Sequence, residues 1–168
     1  MDDSTLTLDT NLLHEYWKRR DKLQHVERLL DLARQGKVDL AVTARVHEDV
    51  PQLPLAQKLN ELEELHIHRT SSVARPGYWV LERDMLGDDA FEDYWPSACT
   101  LAKQRGKKPP DWRDWDHLHA HHLLGRQVFL TWGEGINCLW EELRDRFGVV
   151  VMKPEEYLDA LDESSIVA

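Results

Sequence analysis

The chain has 168 residues, of which 42% are hydrophobic and 31% charged, a balance typical of one globular domain. Its 31 acidic residues outnumber its 21 lysines and arginines, and the net charge of −10 argues against nucleic-acid binding through bulk charge. No apolar run approaches the roughly 18 residues of a membrane span, the first residues do not resemble a signal peptide, and two cysteines cannot form a disulfide framework. We therefore expect a cytoplasmic protein without a membrane association.

Strands and helices alternate in the first part of the chain. The spacing of apolar residues predicts a strand over 5–8, one long helix over 12–33 closed by Gly36, a strand over 38–43, and helices over 44–50 and 55–65.

The middle of the chain is less regular than either end. Short strands are predicted over 67–69 and 78–81, and one or two helices over 88–105. The pattern then sharpens into a helix over 114–124, a strand over 128–131, a helix over 136–147, a strand over 149–152 and a helix over 154–161. We expect a single domain over 1–161, with an atypical insertion over about 66–110 and a frayed tail over 162–168.

This alternation predicts an α/β fold. Two of the strands are continuous apolar runs, which are typical of strands covered on both faces. We expect a central, mainly parallel sheet of four to five strands flanked by helices. The reactive crevice of such a sheet lies beyond the carboxyl ends of its strands.

Acidic residues stand near this edge in several segments. Asp9 ends the first strand, Glu48 lies on the helix after the second strand, and Glu134 follows the strand over 128–131. Asp114 and Asp116 open the helix before that last strand. Together they predict an oxygen-rich site for Mg²⁺ or Mn²⁺, whose bound water would attack a phosphodiester. Each acid taken alone is also consistent with a surface charge or a helix cap, except Asp9, whose place at a strand end before Thr-Asn and a helix is more specific.

Histidines and basic residues add candidate contacts. His117 and His121 are four residues apart, which allows a shared Zn²⁺, but we favour a histidine that borders the acids and assists proton transfer or contacts a phosphate. Trp132 is a candidate for stacking on an unpaired base. The basic stretches 18–20 and 103–108 are candidate phosphate contacts, or simply solvated faces.

Two signatures resemble those of a known family. The segment Leu6-Thr7-Leu8-Asp9-Thr10-Asn11-Leu12-Leu13 resembles the opening of PIN domains, metal-dependent nucleases that include VapC-type toxins. The stretch from Asp114-Trp115-Asp116-His117 through Gly125 to the strand 128–131 resembles their second signature, in which an acid opens a helix and the next strand closes on Thr or Ser. The resemblance covers about residues 5–50 and 112–161 and implies a PIN-like three-layer fold.

The resemblance also implies roles for the residues of the first signature. Asp9 matches the first metal-binding aspartate of the family, and Asn11 matches the polar residue that supports it. Glu48 falls at the second acid, although its neighbour Asp49 could take that role.

The resemblance assigns the third and fourth acids of the family less directly to positions of this sequence. Family spacing favours Asp114, but Asp116 stays open because the Asp116-His117 pair sits closer to the helix body. The two acids point about 200° apart on a helix, so only one of them should face the metal. Where the family has its fourth acid this chain has Gly133, and the longer side chain of Glu134 is the candidate replacement. Thr131 could position water or a ligand through its hydroxyl group.

The function implied is that of a Mg²⁺- or Mn²⁺-dependent endoribonuclease acting on single-stranded or structured RNA. An antitoxin or other protein partner, a homodimer and a toxin role are further expectations from the resemblance. The alternative is a catalytically impaired PIN-like module that binds RNA or a protein partner, an interpretation favoured by Gly133.

Overall fold

A computed structural model describes residues 4–49, 55–75 and 84–166. Its central sheet has five parallel strands in the order β3-β2-β1-β6-β7. These strands are β1 (Ser4–Leu8), β2 (Val38–Thr43), β3 (Ile67–Thr70), β6 (Val128–Leu130) and β7 (Val150–Met152), and a separate two-stranded sheet contains β4 (Ser72–Val73) and β5 (Asp84–Met85).

Helices connect the strands and cover the sheet. In chain order they are α1 (Thr10–Trp17), α2 (Leu23–Arg34), α3 (Val46–Asp49), α4 (Leu55–Lys58), α5 (Asp89–Gln104), α6 (Trp112–Leu123), α7 (Glu134–Asn137), α8 (Trp140–Phe147) and α9 (Pro154–Ile166), with a 3₁₀ turn at Leu59–Glu61. No helix in the described ranges is long and apolar enough to cross a membrane.

The core lies in two layers, one on each face of the sheet. Neighbouring residues of β6 point to opposite faces, and Leu130 belongs to the cluster formed with α1, α2 and α9 while Phe129 belongs to the cluster formed with α5, α6 and α8. Both side chains are fully buried. The predicted fold class, a mainly parallel sheet of four to five strands flanked by helices, is therefore confirmed.

The single long helix predicted over 12–33 is wrong, because two helices occupy this stretch. Between α1 and α2 the chain turns, and Arg19 adopts a left-handed backbone with φ of 45°. All five residues of the break, 18–22, are charged and supply no apolar contact that would extend α1. The helices on either side bury Leu12, Leu13, Leu29 and Leu30 in the same cluster.

Other element boundaries also differ from the prediction. The helix predicted over 136–147 is divided into α7 and α8, although Ile136, Leu139 and Leu143 stay buried across the break. The helix predicted over 55–65 stops at Lys58 and continues only as the 3₁₀ turn. The last helix runs to Ile166, beyond its predicted end, and the strand predicted over 78–81 lies outside the described residues.

The segment predicted as an insertion contributes to the central sheet. Its first element, β3, pairs in parallel with β2 and forms one edge of the sheet. One helix, α5, fills the stretch for which one or two helices were predicted, and it packs against α6.

The strand order determines where a site can form. From β1 the sheet grows to β2 and β3 on one side and to β6 and β7 on the other. A crevice opens at the carboxyl ends of strands where the direction of growth reverses, here between β1 and β6. Asp9 and Thr131 directly follow these two strands.

Candidate active site

A pocket of about 420 Å³ lies at the carboxyl edge of β1. Three aspartates from distant segments line it: Asp9 after β1, Asp49 at the end of α3, and Asp114 in the first turn of α6. The loop before α6 closes one side, since a side chain at Gly135 would collide with the backbone of Lys108. The fold thus brings together acids that are 40 and 65 residues apart in sequence.

Asp9 is held by a network of hydrogen bonds. Its Oδ2 accepts one bond from Asn11 Nδ2 at 2.7 Å and another from the Thr131 hydroxyl. The same hydroxyl accepts bonds from Asn11 Nδ2 at 3.0 Å and from the backbone N–H of Gly133 at 2.8 Å. Both donors of the Asn11 amide are therefore used, while its carbonyl oxygen Oδ1 is buried and has no partner among the described residues.

Asp49, which lines the pocket, forms a second pair with the buried side chain of His117. His117 Nε2 lies 2.6 Å from Asp49 Oδ2, which also accepts a bond from the Thr10 hydroxyl at 2.8 Å. The other ring nitrogen, Nδ1, lies 2.5 Å from the hydroxyl oxygen of Thr43. Burial alone would lower the pKa of His117, but the hydrogen bond and charge of Asp49, with the charges of Asp9 and Asp114, raise it above its ordinary value.

The acids shift one another's protonation. Burial raises the pKa of Asp114 to about 7, and the negative charges of Asp9 and Asp111 contribute to the rise. Burial also raises the pKa of Asp9. By contrast the pKa of Asp49 is lowered: burial alone would raise it, but the hydrogen bond and charge of His117, the bond from Thr10 and the charge of Arg113 together outweigh burial. Added positive charge would therefore be stabilised beside Asp9 and Asp114.

The donor set of the pocket fits a hard divalent cation in chemical type. Carboxylate oxygens and a free amide carbonyl are the ligands that Mg²⁺ and Mn²⁺ prefer. Within the described ranges, no group of three or more His, Cys, Asp or Glu side chains is already arranged to hold a metal ion. Glu48 lies on α3, but its side chain is outside the described part of the chain.

Asp116 does not join the other acids. Its carboxylate is fully buried and contacts Nε of Arg45 at 3.1 Å and Nε of Arg75 at 2.5 Å. Asp116 and Asp114 thus point in different directions from α6, as the helical spacing predicted. Two arginines form ion pairs with the carboxylate of Asp116, and Asp116 does not line the pocket of the other three aspartates.

Glu134 reaches the rim of the pocket but not its acids. Its exposed carboxylate forms an ion pair with Lys107, and this pairing lowers the pKa of Glu134. Gly133 is closer to the network: a Cβ there would lie 3.0 Å from Thr131 Oγ1 and 3.8 Å from Asp9 Oδ2. The position of the missing fourth acid therefore faces the pocket, whereas the proposed replacement is paired elsewhere.

Two other candidate residues, His121 and Trp132, are engaged in contacts with side chains outside the acid pocket. His121 Nδ1 lies 2.9 Å from the hydroxyl of Thr7, and burial lowers the pKa of His121 to about 3. Both ring nitrogens of His117 contact other side chains, Asp49 and Thr43, and among the described residues neither contacts a ligand shared with His121. The ring of Trp132 carries Lys22 Nζ at 4.9 Å from its centroid, and its indole N–H donates to Glu155. One face of this ring is thus already covered.

Sequence reasoning missed the hydroxyl residues that support the pocket. Thr10 and Thr43 contact Asp49 and His117, and both are buried. Their positions at or just beyond strand ends were visible in the sequence, but threonine is too common there to indicate a site.

No family model and no curated protein matches the sequence. The fold is similar to a structure of FitAcB from Neisseria gonorrhoeae (17% identity, TM-score 0.46, 89% of this chain and 97% of that chain). It is also similar to a structure of VapBC-1 from nontypeable Haemophilus influenzae (13% identity, TM-score 0.48, 90% of this chain and 98% of that chain). A third similar structure is VapBC2 from Rickettsia felis bound to a DNA fragment from their promoter (11% identity, TM-score 0.46, 89% of this chain and 98% of that chain). At these identities and TM-scores the likeness concerns the fold alone.

Proposed function

We propose that this PIN-like domain is a divalent-metal-dependent phosphodiesterase that cleaves RNA internally. The observation that carries the proposal is the shared pocket of Asp9, Asp49 and Asp114 at the reversal point of a parallel sheet. Hydrogen bonds from Asn11 and Thr131 fix Asp9 in one orientation, which an aspartate with only a surface role would not need.

Asp9 and Asp114 would hold the metal, with Asn11 Oδ1 as a further oxygen ligand and Glu48 or Asp49 as the second acid of the family pattern. When bound, Mg²⁺ or Mn²⁺ supplies a water of lowered pKa and neutralises charge that develops on the phosphate. His117 keeps Asp49 ionised and oriented through their hydrogen bond.

The substrate phosphate would enter beside Lys108, which lines the pocket. Among the described residues Lys108 has no ion-pair partner, so its ammonium group is available to a phosphate. The pocket chemistry suits any phosphodiester, and RNA is proposed because the sequence signatures resemble those of VapC-type toxins.

Cleavage of an end-labelled single-stranded RNA tests this function. The protein should cut it internally with Mn²⁺ or Mg²⁺ and not with EDTA. Asp9→Asn should lower the rate by at least about a hundredfold, as expected when a metal ligand is lost. Asp145→Asn, which changes an exposed aspartate, is the matched control and should cleave at the parental rate. Equal cleavage by Asp9→Asn would show a contaminating nuclease and refute the proposal.

A second candidate function is a catalytically impaired module that binds RNA or a protein partner. It is favoured by Gly133, which provides no fourth acid, and by the engagement of Glu134 with Lys107. Calorimetry with millimolar Mn²⁺ separates the two functions, because the nuclease must bind the ion. Absence of heat at that concentration, with no cleavage, would favour the binding module.

A toxin role, an antitoxin partner and a homodimer remain proposals from the VapC-type resemblance. Expression should arrest growth, and Asp9→Asn should relieve the arrest, if the nuclease acts as a toxin. Light scattering on the purified protein measures whether it is a dimer. Normal growth on expression of a chain that is active in vitro would remove the toxin role and leave the nuclease.

A further inference from the structure

The linker between α1 and α2 concentrates positive charge in an acidic chain. Four of its five residues are basic, and Lys18, Arg19 and Arg20 are exposed. Arg19 lies 3.9 Å from Glu27, whereas Lys18 and Arg20 have no ion-pair partner in the part of the chain that the structure describes. Charges that the protein leaves unpaired are available to a ligand.

The backbone of the linker keeps these charges next to the acid pocket. The left-handed conformation of Arg19 ends α1 after about two turns. A continued helix would carry residues 18–22 away from the sheet edge at about 1.5 Å per residue. The break instead turns the chain at the end of the helix that begins beside Asp9.

The basic residues line a cavity that borders the acid pocket. This cavity of about 300 Å³ is lined by Lys18, Arg20 and Lys22, and it shares Asn11 and His14 with the pocket of the three aspartates. At this boundary the pKa of His14 is lowered, by burial first and then by the positive charges of Lys18 and Arg20. The charges of Lys18 and Arg20 therefore reach His14, a residue that lines both cavities.

Lys22 is held in place at the far side of this cavity. Its ammonium group lies over the Trp132 ring, 4.9 Å from the centroid, and 4.0 Å from a carboxylate oxygen of Glu155. Its backbone N–H donates to Glu15 at 2.6 Å. These contacts hold the Lys22 ammonium group in place and cover one face of the Trp132 ring, so this face is not a stacking surface for bases.

We propose that Lys18 and Arg20, beside the fixed Lys22, bind backbone phosphates of the substrate strand next to the phosphate that is cut in the acid pocket. The inference rests on the proposed function, because it assumes that the pocket receives a nucleic acid. A chain of net charge −10 repels polyanions at a distance, so a local basic track is needed to hold the strand.

The salt dependence of RNA binding tests the track without cleavage. Every protein carries Asp9→Asn and is measured in EDTA by fluorescence anisotropy with a labelled single-stranded RNA. For single strands the slope of log K against log salt is about −0.7 for each neutralised phosphate. Lys18→Gln/Arg20→Gln should therefore reduce the magnitude of the slope by about 1.4.

The matched control is Arg34→Gln/Lys37→Gln, which removes the same charge. Lys37 directly precedes β2, at the edge of the sheet opposite to the acid pocket, so this variant should keep the parental slope. An unchanged slope for Lys18→Gln/Arg20→Gln, equal losses in both variants, or a parent protein that binds no RNA would overturn the inference. Intact RNA binding with the expected slopes, but no cleavage by the wild type, would refute the nuclease and leave the track standing.

Discussion

Replacing Asp114 by asparagine should stabilise the metal-free protein at alkaline pH, although it removes a proposed metal ligand. Asp114 accepts a bond from the backbone N–H of Asp111 at 3.1 Å as part of a capping box. The asparagine carbonyl can accept the same bond, so the substitution removes the charge and keeps the cap. The substitution removes the negative charge, whose burial and repulsion by neighbouring acids raise the pKa of Asp114 to about 7.

The size of the effect follows from the two pKa values. A pKa raised from 3.8 to about 7 corresponds to about 4 kcal/mol of destabilisation, at about 1.4 kcal/mol per pH unit. The carboxyl is partly exposed to the pocket, and solvent screening reduces this to about 2 kcal/mol. Since the folded-state pKa is the higher one, the penalty is absent below pH 4, grows as the pH rises, and is complete above pH 7.

Urea unfolding of wild type and Asp114→Asn in EDTA measures the difference. At pH 8 the variant should be more stable by about 2 kcal/mol, and at pH 5 by less than half of that. Mn²⁺ should then stabilise the wild type and not the variant. A variant that is less stable by the same amount at both pH values would show that Asp114 serves only as a helix cap, and would refute this account of the pocket.

Other substitutions test separate parts of the site. Thr131→Val should destabilise the fold by about 2 to 3 kcal/mol in chemical denaturation, because it leaves the partners of a buried hydroxyl unpaired, whereas Thr131→Ser should lose less. Gly133→Asp should strengthen Mn²⁺ binding about tenfold in calorimetry by adding a carboxylate beside Asp9, while Gly133→Ala should not. Asp116→Asn should cost about 3 kcal/mol of stability, because it breaks a buried pair with Arg45, and should leave Mn²⁺ affinity unchanged.

Each of these predictions has an outcome that contradicts it. Equal stability of Thr131→Val and wild type would mean that water replaces the hydroxyl. Weaker Mn²⁺ binding by Gly133→Asp would show that crowding against Thr131 outweighs the added ligand. Lost Mn²⁺ binding by Asp116→Asn, in protein that remains folded, would return Asp116 to the site.

Much of the fold was predictable because strands covered on both faces must be apolar. The strand over Val38–Thr43 matches the prediction at both ends, and every predicted strand in the described ranges is present. Breaks inside helices were not predictable in the same way. Ile136, Leu139 and Leu143 keep helical spacing across the break between α7 and α8, so the pattern carries no sign of it.

The pocket was only partly predictable because its details depend on contacts between distant residues. Spacing along one helix was enough to separate Asp114 from Asp116. It could not reveal that Arg45 and Arg75 neutralise Asp116, or that Lys107 binds Glu134. Which of Glu48 and Asp49 supplies the second acid depends on the register of a four-residue helix, which a sequence pattern does not determine.

The order of the pocket residues along the chain has a consequence for synthesis. Asp9 is synthesised early, but its orientation depends on Thr131, which lies 122 residues later and directly follows a strand that pairs with β1. Parallel pairing between such distant strands forms late in folding. A polypeptide still growing on the ribosome therefore lacks the completed aspartate pocket until Thr131 has emerged, and the proposed nuclease activity would be absent during the synthesis of everything before it.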